Sequence, residues 1–385
     1  MSTKSVCLIV TAEVTATTFY RGYLAYLRRS GWDVTLIASS DGNLEELGHS
    51  EGVQVVNVPM RRDPSPGDDL VSLVRLFKQL KRLKPDVVVT ATPKAGLLGT
   101  LSALLARVPV RVYQLWGIRF ETETGPKRAM LKLLESWSIR FSTQVVANSD
   151  SLARRAADLG LLGRKQTVVL GPGSSHGVDL ERFSADAEFP TVDSATAKFL
   201  ARRPSALVIG FVGRVHPDKG IRTLLQALEI CARQALDVRL LVVGAFESAD
   251  VVTQIEQSQI ETHLVGSVDD TRPYLRAMNI HCLPTRREGF PNVVLEAAAM
   301  GLATVASDAT GAIDSVVDGE TGLLFVTDDA ESLARAITRL AVDKDLRSRL
   351  GTRARAHVEA NFKREKIWSL QEANLSGHLA ERVAS

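Results

Sequence analysis

The sequence predicts an α/β protein made of two doubly wound parallel-sheet domains in tandem. Its 385 residues exceed what a single hydrophobic core usually supports. Short apolar, β-branched runs alternate with helical patterns, which is typical of a parallel sheet covered on both faces. The alternation weakens near the middle of the chain and then restarts, which favours two sheets over one.

The first half is predicted to hold seven strands, most of them separated by helices. The strands are short and valine-rich, with polar or turn residues at their ends, and lie at 6–10, 33–39, 53–59, 86–92, 110–116, 143–149 and 166–170. The helical patterns lie at 18–30, 68–83, 95–106, 126–141 and 150–160. A glycine-rich loop, GPGSSHGVD, follows the seventh strand.

The second half repeats the pattern after a predicted linker at about 184–205, and we place the domain boundary after residue 188. Six further strands are predicted at 206–213, 238–244, 262–266, 280–284, 303–307 and 322–325. The domains are therefore predicted to span 1–188 and 189–363. Each should present its binding loops at the carboxyl ends of its strands, and a cleft would form between those edges if the domains face one another.

Composition excludes several classes of protein. The hydrophobic fraction of 45% argues against disorder. The net charge is +3, with 24 basic and 19 acidic residues in the first 188, which is too mild for a nucleic-acid binder. The three cysteines form no CxxC pair, and neither a signal peptide nor a spanning segment is recognisable, so a cytoplasmic protein is expected.

The strongest chemical signal is the segment REGFPNVVLEAAAMG, which starts at Arg287. Pro291 suits the first position of a helix, so Glu288 is predicted on the preceding loop and Glu296 more than one turn inside the helix. The amino end of that helix would attract a phosphate, and the two carboxylates could accept hydrogen bonds from sugar and ribose hydroxyls. The alternative is that both glutamates are simply solvated.

A second signal is FVGRVHPDKG, residues 211–220. A strand is predicted to end at Gly213, and Arg214 and Lys219 then bracket a turn before a helix. Two cations at such a turn suit a diphosphate, although they are also typical of a solvated surface turn. The order K-G differs from that of a Walker loop.

Together with DGETGLLF at 318–325, these two segments resemble glycosyltransferase family 4, which has the GT-B fold of two Rossmann-like domains. The resemblance covers nearly the whole chain. It implies a retaining transferase that uses a nucleotide-sugar donor, UDP rather than GDP on family grounds. It also implies that the last helix, 364–385, returns to the N-terminal, acceptor-binding domain.

The resemblance also implies roles for individual residues of the donor-binding domain. Arg214 and Lys219 would bind the diphosphate and stabilise the departing nucleotide, and Glu288 would contact the transferred sugar. Glu296 would hold the ribose. The backbone of Gly289 and Phe290 would assist at the sugar, Asn292 and Val293 would offer amides to the phosphate, and the backbone near Gly266 and Val268 would border the base. Gly213 and Pro291 complete the implied donor-binding positions.

The acceptor is expected at the carboxyl edge of the first sheet. The predicted loop at 11–22 carries Thr11 and Glu13, and the loop at 116–125 carries Arg119 and Glu121. Many members of the resembled family have a histidine on the latter loop; its absence here leaves Glu121 as the candidate for contacting the acceptor hydroxyl.

The segment GSSHGVDLERF contains Ser175 and His176 on the acceptor side. It resembles members that build capsular, O-antigen or N-acetylhexosamine-containing glycans on lipid carriers. His176 is interpreted as a loop residue near the cleft rather than a catalyst. A polyprenyl-diphosphate-linked sugar is the acceptor that this likeness favours.

Metal binding and membrane contact are the remaining sequence predictions. No credible D-x-D metal site and no pair of histidines at metal-ligand spacing is recognisable. Arg214, Lys219 and the helix dipole are therefore expected to stabilise the leaving group without a metal or cofactor. The segment at 70–85 combines leucines at helical spacing with five basic residues. It predicts either peripheral contact with the inner membrane or an ordinary packed helix.

Two other functions remain open. A non-hydrolysing UDP-N-acetylglucosamine 2-epimerase shares the architecture, but it would need acid and base groups on both faces of the sugar. A non-catalytic nucleotide-sugar-binding scaffold is the other alternative, kept open by the missing histidine.

Overall fold

The computed structural model describes residues 4–61, 65–184 and 187–383, and side chains as far as residue 380. The chain divides into two compact units. Unit 1 extends to His176 and also includes the chain from Glu365 onward, while unit 2 comprises Gly177–Arg364. Both are doubly wound α/β structures with parallel sheets, as the sequence predicted.

Unit 1 contains a seven-stranded sheet in the order β3-β2-β1-β4-β5-β6-β7. Its strands are β1 (Lys4–Ala12), β2 (Trp32–Ser39), β3 (Gln54–Asn57), β4 (Val87–Ala91), β5 (Val110–Leu115), β6 (Gln144–Ala147) and β7 (Thr167–Val169). Its helices are α1 (Glu13–Tyr20), α2 (Tyr23–Arg29), α3 (Leu44–Glu51), α4 (Pro66–Leu83), α5 (Pro93–Leu105), α6 (Gly125–Phe141) and α7 (Asp150–Asp158), together with the final helix α15 (Arg364–Val383).

Alternating side chains of the central strand β1 bury both faces of this sheet. Val6 and Leu8 pack on one side with α1, α2 and α15, while Cys7 and Ile9 pack on the other with α4 and α5. Because successive side chains of a strand point to opposite faces, an unbroken apolar run requires cover on both. Helix α15 adds polar contacts, including Trp32 Nε1 donating to Glu372 Oε1 at 3.0 Å.

Unit 2 contains a six-stranded sheet in the order β10-β9-β8-β11-β12-β13. Its strands are β8 (Leu207–Val212), β9 (Val238–Val243), β10 (Thr262–Gly266), β11 (Ile280–Leu283), β12 (Thr304–Ser307) and β13 (Gly322–Phe325). Its helices are α8 (Ser194–Arg202), α9 (Ile221–Arg233), α10 (Ala249–Gln257), α11 (Arg272–Ala277), α12 (Asn292–Ala299), α13 (Ala330–Val342) and α14 (Lys344–Asn361).

All thirteen predicted strands are confirmed, and three local predictions are wrong. The predicted loop at 11–22 is the end of β1 followed by α1, and Gly22 at φ 81° separates α1 from α2 where one helix was expected. Helix α8 lies inside the predicted linker, capped by Asp193, whose carboxylate accepts from two backbone amides. Pro291 precedes α12 instead of starting it.

The structural division lies at Gly177, earlier than the boundary predicted after residue 188. Hydrogen bonds explain the difference, because the segment after Gly177 is bonded within unit 2. Val178 N donates to Phe362 O, and Arg364 N donates to Val178 O. Arg272 Nη1 also donates to Arg182 O at 2.9 Å.

Candidate active site

The two chemical motifs of unit 2 follow neighbouring strands, β8 and β11. These strands pair directly, with Ile280 opposite Ile209. Strand order reverses between them, since β9 and β10 lie beyond β8 while β12 and β13 lie beyond β11. Loops that diverge at such a switch point form a crevice at the carboxyl edge of a sheet, where open α/β sheets bind ligands. The loops at 213–220 and 284–291 therefore meet at the expected binding position.

Glycines allow these loops to pack backbone against backbone. A Cβ on Gly220 would lie 1.8 Å from Pro284 O, and Gly220 has a left-handed φ of 69°. A Cβ on Gly311 would lie 2.5 Å from Glu288 O. Any larger residue at either position would force the backbone segments apart. Gly220 therefore determines how closely the two motifs approach, and Gly311 how closely the loop after β12 approaches Glu288.

The two cations of the turn already contact carboxylates. Lys219 Nζ lies 2.5 Å from Glu288 Oε1, and their side chains are only 14% and 16% exposed. Arg214 forms an ion pair with Glu247, and both of those side chains are more exposed. Lys219 and Glu288 are therefore neighbours in a largely buried position, although they are separated by 69 positions in sequence.

Asp218 joins the two loops and was missed by sequence reasoning. Its buried carboxylate accepts from Arg287 Nη2 at 2.7 Å and lies 2.5 Å from His216 Nδ1. Its carbonyl accepts from Arg286 N at 2.8 Å. Burial opposes ionisation, but the charges of Arg287 and Lys219 outweigh it and lower the pKa of Asp218. The only sequence signal was an aspartate within the H-P-D-K-G turn.

Glu296 lies on the second turn of α12 in a desolvated setting. Burial raises its pKa to about 7, and the charge of Arg182 opposes this while that of Asp270 adds to it. Nearby, Asn292 Nδ2 donates to Gly177 O at 2.6 Å. A carboxyl group that titrates near neutrality is sensitive to any donor or acceptor placed beside it.

The remaining donor-binding candidates line the same edge of unit 2. Phe290 is buried and its ring centroid lies 5.3 Å from that of Phe362. β10 ends at Gly266, whose carbonyl accepts from Gly244 N at 2.8 Å. A Cβ at Gly266 would lie 3.9 Å from the ring of the exposed Phe246. Of the other candidates, Gly213 directly follows β8 and Val268 follows β10. Pro291 directly precedes α12, and Val293 lies in the first turn of α12.

The acceptor-side candidates of unit 1 lie at or beyond the carboxyl ends of three parallel strands, and therefore at one edge of its sheet. At the switch point between β1 and β4, Thr11 Oγ1 lies 2.7 Å from Thr92 Oγ1. Arg119 and Glu121 follow β5 in a 3-10 turn, where Glu121 Oε1 accepts from Arg155 Nε at 2.7 Å. The carboxylate of Glu121 is therefore engaged in an ion pair within the unit.

Glu13 uses its carboxylate to order the loop after β2. Its Oε2 accepts from Ser40 Oγ at 3.0 Å, from Asp41 N at 2.9 Å and from Asn43 N at 3.1 Å. Burial opposes ionisation, yet the amides of Asp41 and Asn43 lower the pKa of Glu13. Through these contacts Glu13 holds the loop after β2 in place at the carboxyl edge of the sheet.

Ser175 and His176 lie beyond β7 beside aromatic rings. His176 Nδ1 lies 2.8 Å from Ser175 Oγ, and its ring packs edge-on against Phe19. Phe19 in turn stacks on Trp116 with centroids 4.3 Å apart. Burial lowers the pKa of His176 to about 4, so its ring is uncharged at neutral pH.

Among the residues that the structure describes, no three His, Cys, Asp or Glu side chains are arranged to hold a metal ion. Likewise, no helix in the described ranges is long and apolar enough to cross a bilayer.

Comparison with known proteins identifies the family. A model described as "Glycosyl transferase 4-like domain" matches residues 15–173, and "Glycosyl transferases group 1" matches residues 206–343. The capsular polysaccharide biosynthesis glycosyltransferase CapM of Staphylococcus aureus is 34% identical over 365 residues, covering 94% of each chain. The chain belongs to glycosyltransferase family 4. This glycosyltransferase therefore carries the family's two characteristic domains in the expected order.

Further similarities agree with this assignment. An Escherichia coli UDP-Gal:alpha-D-GlcNAc-diphosphoundecaprenol alpha-1,3-galactosyltransferase is 28% identical over 324 residues, covering 82% of this chain and 81% of that protein. The structure of HepE from Anabaena in complex with UDP and glucose is 19% identical, with a TM-score of 0.77, and the match covers 97% of this chain and all of HepE. The glycosyltransferase has the GT-B fold.

Proposed function

We propose that this glycosyltransferase moves a hexose or N-acetylhexosamine from a UDP-sugar to a lipid-linked glycan acceptor, with retention of configuration, in surface polysaccharide biosynthesis. The observation that carries the proposal is the pairing of Lys219 and Glu288 across the switch point of unit 2, beside the start of α12. Unit 2 would then bind the donor and unit 1 the acceptor. The three buried free cysteines support a reducing, cytoplasmic setting.

In this proposal the site stabilises charge that develops on the leaving group. The bond between the anomeric carbon and the diphosphate oxygen breaks, and its electron pair departs with UDP. The acceptor hydroxyl oxygen forms the new glycosidic bond, and its proton passes to the departing phosphate. Arg214, Lys219 and the amides at Asn292 and Val293 would face the developing negative charge, so the step would require no metal ion.

The ion pairs seen in the structure suit such a role. Lys219 contacts Glu288. The ammonium of Lys219 would therefore bind the diphosphate while the adjacent carboxylate of Glu288 accepts from a hydroxyl of the transferred sugar. Glu296 would accept from the ribose diol, and Gly289 and Phe290 would offer backbone groups to the sugar. The names of the Staphylococcus aureus and Escherichia coli relatives support a capsule-type glycan and a diphosphoundecaprenol-linked acceptor.

A donor panel tests the proposal. The purified enzyme is mixed with UDP- and GDP-sugars in EDTA and followed by thermal unfolding, where a donor at 100 times its Kd stabilises by about 2.7 kcal/mol. We expect a UDP-sugar to give this shift, and Glu296→Ala to remove most of it. Glu331→Ala, which changes an exposed glutamate of α13, is the matched control.

Product analysis separates the proposed transfer from the two alternatives. Release of UDP with sugar incorporated into the acceptor supports transfer. A 2-epimer of the donor would indicate an epimerase, and donor binding without turnover would indicate a scaffold. Loss of activity in EDTA, restored by a divalent ion, would contradict the metal-independent step.

A further inference from the structure

The loop that carries Arg214 is hydrogen-bonded to the loop after β9. Val215 N donates to Ala245 O at 2.8 Å, and Glu247 N donates to Val215 O at 3.1 Å. Val215 and Phe246 are therefore partners in an isolated parallel β-bridge. This bridge extends the pairing of β8 with β9 beyond the last residues of both strands, so the backbone on either side of it is held in place.

The bridge determines which way the neighbouring side chains point. Val215 is fully buried in the core that packs against α9 and α13. Because successive side chains of an extended chain alternate, Arg214 and Glu247 point to the opposite face of the sheet. Helix α12 packs on that face, where Val294 and Leu283 belong to a separate apolar cluster. Arg214 and Glu247 therefore share the face on which α12 lies.

Glu247 forms an ion pair with Arg214 on this face, and the two side chains are 29% and 45% exposed. Lys219 pairs with Glu288 in the same manner. Each cation of the turn at 211–220 thus lies against a carboxylate that a different loop supplies. Glu288 belongs to a motif that the sequence revealed, whereas Glu247 lies outside both donor motifs.

The stability of the fold gives little reason for this second pair, because ion pairs at exposed positions contribute little to folding. The effect on Arg214 itself is larger. A free arginine side chain has many rotamers, and a partner that selects one of them removes most of that freedom before a ligand arrives. A diphosphate offers more negative charge and several oxygens, so it can take the guanidinium over from Glu247.

We propose that Glu247 is a positioning residue, which holds the guanidinium of Arg214 on the α12 side of the sheet, ready to meet the charge that develops on the leaving group. This inference rests on the proposed function, in which Arg214 faces the diphosphate of the donor. Glu247 acts through Arg214 alone: it contacts no substrate and transfers no proton. Its carboxylate fixes the direction of the cation, and the backbone bridge fixes the carboxylate.

Kinetics of Glu247 variants of the full chain test this role. Glu247→Ala should lower kcat/KM for the UDP-sugar by about 10- to 30-fold, since the arginine side chain must then be ordered during the reaction. Glu247→Gln keeps an oxygen that accepts from the guanidinium, and should recover most of the lost rate. The Kd of UDP should change by less than about threefold, because the lost order of Arg214 and the lost negative charge beside the diphosphate act in opposite directions.

A double-mutant cycle shows whether Glu247 acts through Arg214. In an Arg214→Ala background, Glu247→Ala should cause no further loss of kcat/KM, because the group that it positions is already absent. Losses that multiply in the double variant would overturn the proposal. So would an unchanged kcat/KM in the single Glu247→Ala variant, or equal losses of kcat/KM and UDP affinity with a lowered unfolding temperature.

A matched control separates this role from a general effect of charge. Glu256→Ala changes an exposed glutamate of α10 and should leave both kcat/KM and the Kd of UDP unchanged. A wild-type enzyme that used a GDP-sugar would refute the proposed donor, and the same cycle measured with that sugar would still decide the role of Glu247.

Discussion

Gly220 offers the sharpest test of how the two motif loops create the site. In the substitution Gly220→Ala the new Cβ would lie 1.8 Å from Pro284 O, whereas Cβ contacts below 3.0 Å are essentially never seen. The loops must therefore separate by at least 1.2 Å, the difference between those distances. A misplacement of about 1 Å can cost on the order of 10²-fold in rate, so we expect a loss of this size in kcat/KM. UDP release measures it.

Gly160→Ala is the control for backbone strain. Gly160 has the same φ of 69°, but a Cβ there would meet nothing within 4 Å. Each alanine is placed in the left-handed region at a cost of roughly 1–2 kcal/mol, which thermal unfolding detects. Only Gly220→Ala should also impair transfer. If both variants keep the wild-type kcat/KM, the close approach of the loops does not govern the site.

Three further predictions concern residues of the same site. Lys219→Ala should lower kcat on the order of 10²-fold with a smaller change in donor KM, measured by steady-state UDP release; a change confined to KM would contradict the role in leaving-group stabilisation. Because burial raises the pKa of Glu296 to about 7 and ribose hydroxyls would donate to its ionised form, donor KM should fall as the pH rises from 6 to 8, and Glu296→Gln should abolish this dependence. Asp218→Asn removes the buried carboxylate that pairs with Arg287, so the free energy of unfolding should fall by about 1–3 kcal/mol together with kcat. An unchanged unfolding temperature would show that this contact between the loops is not stabilising.

The strands and the two donor motifs could be predicted from the sequence because the residue patterns that indicate them are local. Apolar runs bounded by turn residues located every strand, and the glycine, proline and charged residues around Glu288 and Lys219 marked their loops. Helix α1 was missed because its sequence, E-V-T-A-T-T-F-Y, has little helical periodicity. Its stability comes from the packing of Ala16 and Tyr20 on the sheet.

What only the tertiary structure decided is which distant segments meet and which surfaces stay uncovered. Strand order places β8 beside β11, and the loops that follow these strands bring Lys219 to Glu288 and Asp218 to Arg287. The exposure of Met130, Leu133 and Trp137 on α6 was also not predictable from the sequence, since an apolar helical face is normally a buried face. The physical reason is common to both cases: periodicity reports a residue's neighbours along the chain, whereas burial and ion pairing depend on which elements the sheet places side by side.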